Sequence, residues 1–100
     1  MSVEKKDEGK VRLDLIEPEF IEGLGRVLTF GAHKYSDSGW KTIENKHDRN
    51  YASLMRHIIE WRKGNKTDEE SGQNHLLHAA YNLMVLYYDD LEKEKNECLC

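Results

Sequence analysis

His57 and Glu60 stand three residues apart on what reads as one helix, and His75 and His78 stand three apart on the next. Residues at that spacing share a helix face. Glu70 precedes His78 by eight positions, again close to one helical stripe. Three of the five histidines, with two spaced carboxylates, thus fall in the stretch 56–82. Two facing helices that carry His and Glu are a common way to build a metal site inside a bundle. His57, Glu60, Glu70, His75 and His78 are therefore the candidate ligands. The same spacing also fits two helices with solvated polar faces, and spacing alone does not separate these readings.

The ion that such ligands suit is a divalent one. Mg2+ and Mn2+ prefer oxygen donors, and Mn2+ also accepts imidazole. An ion held by side chains and substrate phosphates is the usual arrangement for phosphoryl transfer or pyrophosphate release. The cations fit that chemistry. Lys34 and Lys41 flank a loop, and Arg49 and Arg56 follow on a helix. Arginine grips phosphate as a fork, and lysine acts as a point charge. Tyr35 and Trp40 lie beside the lysines, where a base could stack. Asn82 sits between Tyr81 and Leu83, and a buried amide must find partners, a ligand among them. Each of these residues also has a plainer reading as a surface cation, a core plug or a satisfied amide. Other chemistries lack their motifs: no phosphate-binding glycine loop, no HExxH, no His-Asp pair at His57-Ile58, and no GxSxG around Ser71.

Composition narrows the class further. One hundred residues make one domain, with 38% hydrophobic and 34% charged residues. So small and polar a chain buries only a modest core, so some apolar helix surface is expected to meet another subunit. The net charge of −4 argues against a nucleic-acid partner. No apolar run approaches the ~20 residues that span a bilayer, and no signal-peptide pattern opens the chain. The expected location is the cytoplasm. Cys98 and Cys100 lack metal or redox spacing and read as incidental.

The elements that must position these side chains are helical. Residues 1–11 read as a flexible, charged leader, 12–95 as a single helical nucleotide-binding domain, and 96–100 as a tail. Arg12 to Ile16 reads as an extended lead-in. Pro18 suits a first helical turn, and Phe20, Leu24, Val27 and Leu28 carry a helix from about Pro18 to about Tyr35. Ser36 to Lys46 is a polar loop around Trp40. Asp48 caps a second helix, apolar at Tyr51, Leu54, Met55, Ile58, Ile59 and Trp61, which Gly64 stops. Thr67 and Glu70 have capping-box spacing, which offers Glu70 a purely structural role. The last helix shows Leu76, Ala80, Leu83, Tyr87 and Leu91 on one face. The fold class is all-α, with three main helices in an oligomeric bundle. The expected assembly is a homodimer or higher even oligomer, with the second and last helices at the interface.

Taken in order, Arg12-Leu13-Asp14-Leu15-Ile16, Gly31-Ala32-His33-Lys34-Tyr35, Trp40, Arg56-His57, Trp61, Gly64, Asp68, Glu70-Ser71-Gly72, His75, His78-Ala79-Ala80 and Asn82 resemble the phage-associated dATP/dGTP diphosphohydrolase (MazZ-type) N-terminal domain. That family is counted among the MazG-like all-α pyrophosphohydrolases, which are metal-dependent oligomers that cleave a nucleoside triphosphate to monophosphate and pyrophosphate. Typical MazG-like enzymes carry Glu-x-x-Glu and Glu-x-x-Asp, whereas here the pairs read His57-x-x-Glu60 and Glu70-x-x-Gln73. The resemblance implies hydrolysis of a purine deoxynucleotide, dGTP or dATP, with Mg2+ or Mn2+. Glu60 or Glu70 would be the catalytic base, Lys34, Arg49 and Arg56 the phosphate holders, and Tyr35 or Trp40 the base platform. A binding protein that does not hydrolyse its nucleotide, such as a phage sponge for an immune signal, is the alternative. A purely structural helical oligomer is the third reading.

Overall fold

A computed structural model of the chain describes residues 8–98, without the side chain of Cys98. Residues 1–7 of the expected leader, and Leu99 and Cys100 of the expected tail, lie outside the described residues. Three helices carry the fold: α1 from Pro18 to Lys34, α2 from Lys46 to Arg62 and α3 from His75 to Cys98. Pro18 opens α1, and the Glu17 side chain accepts from the Glu19 backbone N–H. The lead-in is not extended. It makes one 3-10 turn over Leu13–Leu15, pinned by the paired Arg12 and Asp14 side chains. The loop after α1 holds a second 3-10 turn, Gly39–Thr42, and this turn brings Trp40 edge-on to Tyr88 of α3, with ring centroids 5.0 Å apart.

α2 begins before Asp48. Asn45 adopts the left-handed conformation (φ 54°) just ahead of it, so Asp48 sits within the first turn and complements the helix dipole. Gly64, at φ 102°, takes the left-handed region that a side chain would resist, which ends the helix. The capping role offered to Glu70 falls away. α3 starts at His75, and the Asn74 side chain accepts from the Leu76 N–H.

Between α2 and α3 the chain folds back on itself. The Asp68 N–H donates to the Gln73 carbonyl at 2.8 Å, and His75 N–H donates to Lys66 carbonyl at 2.7 Å. Thr67 and Asn74 form an isolated antiparallel bridge. Gly72 (φ 75°) makes the tight reversal. This small closed loop holds Asp68 rigidly beside the start of α3.

Polar side chains fill much of the seam between α2 and α3. α2 and α3 pair along most of their length, yet the residues buried there include Asn50, His57, His75 and Asn82, together with Ala79 and Val85. Val27 of α1 is the remaining buried apolar side chain. The expected apolar stripes face outward. Leu83 is 56% and Tyr87 66% exposed, and Leu76, Leu91, Tyr51, Met55 and Ile59 are also exposed. Gly23 lets α1 approach α3, because a Cβ there would lie 2.6 Å from a Leu77 methyl. Among the described residues no helix is long and apolar enough to cross a membrane.

Candidate functional site: a histidine-aspartate centre beside aromatic cavities

Three elements bring four ionisable side chains together. α2 supplies His57, α3 supplies His75 and His78, and the closed loop supplies Asp68. The Nδ1 atoms of His57 and His75 lie 2.8 Å apart, near enough to share one proton or one cation. His78 stacks on His57 with ring centroids 4.7 Å apart and planes 10° from parallel. His57, Asp68 and His75 each offer a donor atom, and these three atoms lie within 4.8 Å of one another. His57 and His75 are buried. Asp68 is held by the backbone N–H and the hydroxyl of Ser71, at 2.9 and 3.0 Å. The same hydroxyl lies 2.6 Å from His78 Nε2, so Ser71 ties loop and helix together. A hydrogen-bonded partner of this kind would fix the orientation of these side chains if they held a metal.

Behind the histidines runs an amide chain. Asn50 Nδ2 donates to Asn82 Oδ1 at 2.8 Å, and Asn82 Nδ2 donates to the His78 carbonyl at 2.8 Å and to Ser53 Oγ at 3.2 Å. The second oxygen-bearing end, Asn50 Oδ1, is buried without a protein partner.

Open space meets the centre from two sides. One cleft, about 530 Å³, is lined by Asp68 and His75 and by the carboxylates of Glu60, Glu69 and Glu70. On the other side a cavity of about 160 Å³ reaches His78 past Lys34, Tyr35, Trp40 and Tyr81. It adjoins a larger one of about 510 Å³ that shares Tyr35, Trp40 and Tyr81 and adds Arg49, Asn50 and Ser53. The Lys34 ammonium pairs with the Glu70 carboxylate and lies 5.4 Å from the Tyr35 ring centre. That pair bridges the acidic cleft and the aromatic cavity.

The chain matches the family model described as dATP/dGTP diphosphohydrolase, N-terminal, over residues 2–98. It belongs to that family. A dATP/dGTP diphosphohydrolase from Salmonella phage PMBT28 is 39% identical over 84 residues, which are 84% of this chain and 28% of that protein. The chain thus spans less than a third of that relative's length. No solved structure gives a significant match.

Within this dATP/dGTP diphosphohydrolase N-terminal domain, the structure gathers most of the candidates. His57, His75 and His78 meet at the centre. Glu60 and Glu70 stand at the rim of the acidic cleft. The Glu60 carboxylate accepts from Asn65, which with Lys63 holds its pKa low. Lys34, Tyr35, Trp40 and Arg49 line the cavities. Lys41, Arg56 and Asn82 line none of these spaces. Lys41 lies over the Trp40 and Tyr88 rings, Arg56 is exposed and reaches Ser53 Oγ at 3.5 Å, and Asn82 supports His78 from behind. Asp68 was not a site candidate on spacing, because it belongs to no helical stripe. The Asp68-x-x-Ser71 pattern, which closes a side-chain turn, was its one local signal. Asn50 and Tyr81 had none.

The site ties stability to pH. Burial first, and then the charges of His78, Arg56 and His75, push the His57 imidazole down to about 4 from an ordinary value near 6.5. Burial also lowers His78. The unfolded chain therefore binds more protons than the folded one between those values. The stabilisation is complete above about pH 6.5 and is lost as the pH falls toward about 4. Asp68 acts in the same sense at lower pH. Burial works to raise its pKa, but the Ser71 N–H and hydroxyl and the neighbouring His78 and His57 outweigh it. Urea midpoints of the metal-free protein should fall steadily from about pH 7 to about pH 4. A flat profile across that window would contradict a buried, neutral His57.

Proposed function

We propose that this domain carries a metal-dependent pyrophosphohydrolase centre for a purine deoxynucleoside triphosphate, dGTP or dATP. The observation that supports this reading most is the position of His78. It packs on the His57, Asp68 and His75 cluster and also closes the aromatic cavity, so one ligand can reach both. The name of the phage relative supports the substrate class.

In this reading the purine packs among Tyr35, Trp40 and Tyr81, and the triphosphate runs toward the acidic cleft. Lys34 and Arg49 balance its charge. An incoming phosphate competes with Glu70 for Lys34, which frees the Glu70 carboxylate beside His75 and Asp68. A divalent ion at the centre would polarise the phosphate and lower the pKa of bound water. Glu70 or Glu60 takes the proton as water attacks the α-phosphorus. The bond from that phosphorus to the bridging oxygen breaks, and pyrophosphate leaves. Asp68 is held unprotonated by Ser71 throughout.

The test is product analysis of dGTP and dATP with Mn2+ and with Mg2+. Monophosphate and pyrophosphate are expected. Recovery of intact nucleotide, tightly bound, would instead favour the non-hydrolysing binder.

The active form in this proposal is a homodimer or a higher even oligomer. The support is the outward stripe Leu76, Leu83, Tyr87 and Leu91 on α3, beside Tyr51, Met55 and Ile59 on α2. An apolar surface of this extent is a liability on a monomer. Light scattering should return at least twice the chain mass of 11.7 kDa at micromolar concentration. A monomer would refute the assembly.

A further inference from the structure

We infer that His57, Asp68 and His75 form a two-histidine, one-aspartate centre selective for a borderline transition ion such as Mn2+, Fe2+, Co2+ or Zn2+, and not for Mg2+. This rests on the metal-dependent reading above but concerns a separate property of the same centre.

Three observations carry it. First, the donor set is mixed. Among the described residues, two imidazoles and one carboxylate are the three groups whose donor atoms come within 4.8 Å of one another. Mg2+ demands near-octahedral oxygen coordination and dehydrates reluctantly, whereas imidazole suits later first-row ions. Two histidines with one carboxylate and open positions is a ligand set that such ions take. Second, the donors are preorganised. They come from α2, the closed loop and α3, and their supports are already made. Ser71 fixes Asp68, and His78 stacks on His57. The close approach of the two Nδ1 atoms, 2.8 Å, leaves no room for another side chain between them. Third, the centre meets open space on the side of the acidic cleft. His57 is buried, whereas Asp68 and His75 line the acidic cleft, so free coordination positions would face that cleft. Glu60, Glu69 and Glu70 at its rim raise the local cation concentration, and they stand outside the group that comes within ligand distance.

His78 and Ser71 are then positioning residues. Their bond at 2.6 Å sets the direction of the Asp68 carboxylate, and Asp68 Oδ2 lies 3.6 Å from His78 Nε2.

The experiment is a titration of the metal-free full chain with Co2+, read by visible absorption and not by turnover. A saturable spectrum with nitrogen–oxygen coordination is expected at one Co2+ per chain. Zn2+ should abolish it, and about a hundredfold excess of Mg2+ should leave it unchanged. Asp68→Asn, checked for native helix content, should weaken Co2+ binding by at least about tenfold, and Ser71→Ala by a smaller factor with an altered spectrum. Absence of a Co2+ spectrum, its displacement by Mg2+ at comparable concentration, or unchanged binding by Asp68→Asn would each overturn the inference. Pyrophosphate release supported by Mg2+ in a protein that binds no Co2+ would sink the ion assignment and leave the hydrolase reading intact. Selective Co2+ binding without any pyrophosphate release would do the reverse.

Discussion

Asn82→Ala should lower the melting temperature by more than about 10 °C, the largest stability loss expected from any single truncation in this chain. Asn82 is almost wholly buried, and it satisfies three partners at once. Its loss strands the Asn50 amide, whose oxygen already lacks a partner, and removes one bond each from Ser53 Oγ and the His78 carbonyl. Each buried polar group left unpaired costs about 1–3 kcal/mol, and the vacated volume adds to that. Where most domains of this size hold α-helices together with apolar side chains, α2 and α3 meet through this amide chain. The cost of truncation is therefore electrostatic as much as steric. A second variant separates the two parts. Replacing Asn50 and Asn82 together by leucine removes both halves of the bond, and its cost should be less than the sum of the two single leucine variants. Thermal melts of the four proteins decide this. Simple additivity would show that the Asn50–Asn82 bond contributes no coupling.

On the proposed hydrolase reading, Asp68→Asn should reduce pyrophosphate release at least about a hundredfold while changing stability little. The substitution keeps the side chain's shape, and the amide oxygen, turned into the place of Oδ2, still accepts from Ser71. It removes the negative charge that two neutral imidazoles cannot supply to a cation. Lys34→Ala should act differently. Lys34 stands in an exposed pair with Glu70, so its removal should leave the fold intact and raise KM for the triphosphate by about tenfold, the scale of one lost charge-assisted phosphate contact. Steady-state rates with varied dGTP separate the effects: a fall in kcat for Asp68→Asn, a rise in KM for Lys34→Ala. If Asp68→Asn retained wild-type turnover, the centre would not be where the phosphate chain is cleaved.

Much of the fold was legible in the chain. Periodicity located α1 and α2 within a few residues, because Pro18, Gly64 and the apolar repeats act locally, whereas α3 begins at His75, well past the Thr67–Glu70 cap. The histidine spacing pointed to the centre for the same reason: His57 on one helix and His75 and His78 on the next had to lie on facing stripes if those helices paired. The resemblance carried by Gly31 to Tyr35, Trp40 and Glu70 to Asn82 agrees with the family match.

What the sequence could not determine is which stripe of each helix faces inward. On α3 two rows were available: Leu76, Leu83, Tyr87 and Leu91, or His75, Ala79, Asn82 and Val85. Local hydrophobicity favours the first as core, and the isolated fold buries the second. That choice depends on whether polar side chains find partners across the interface, as Asn50 finds Asn82 and His57 finds His75, and a partner on another helix leaves no trace in local periodicity. Asp68 was hidden for a related reason. A loop residue joins such a cluster only when the chain closes on itself, here through the bonds of Asp68 to Gln73 and of His75 to Lys66. The types of the chemical groups were written in the sequence; their convergence on one point was decided by the tertiary fold.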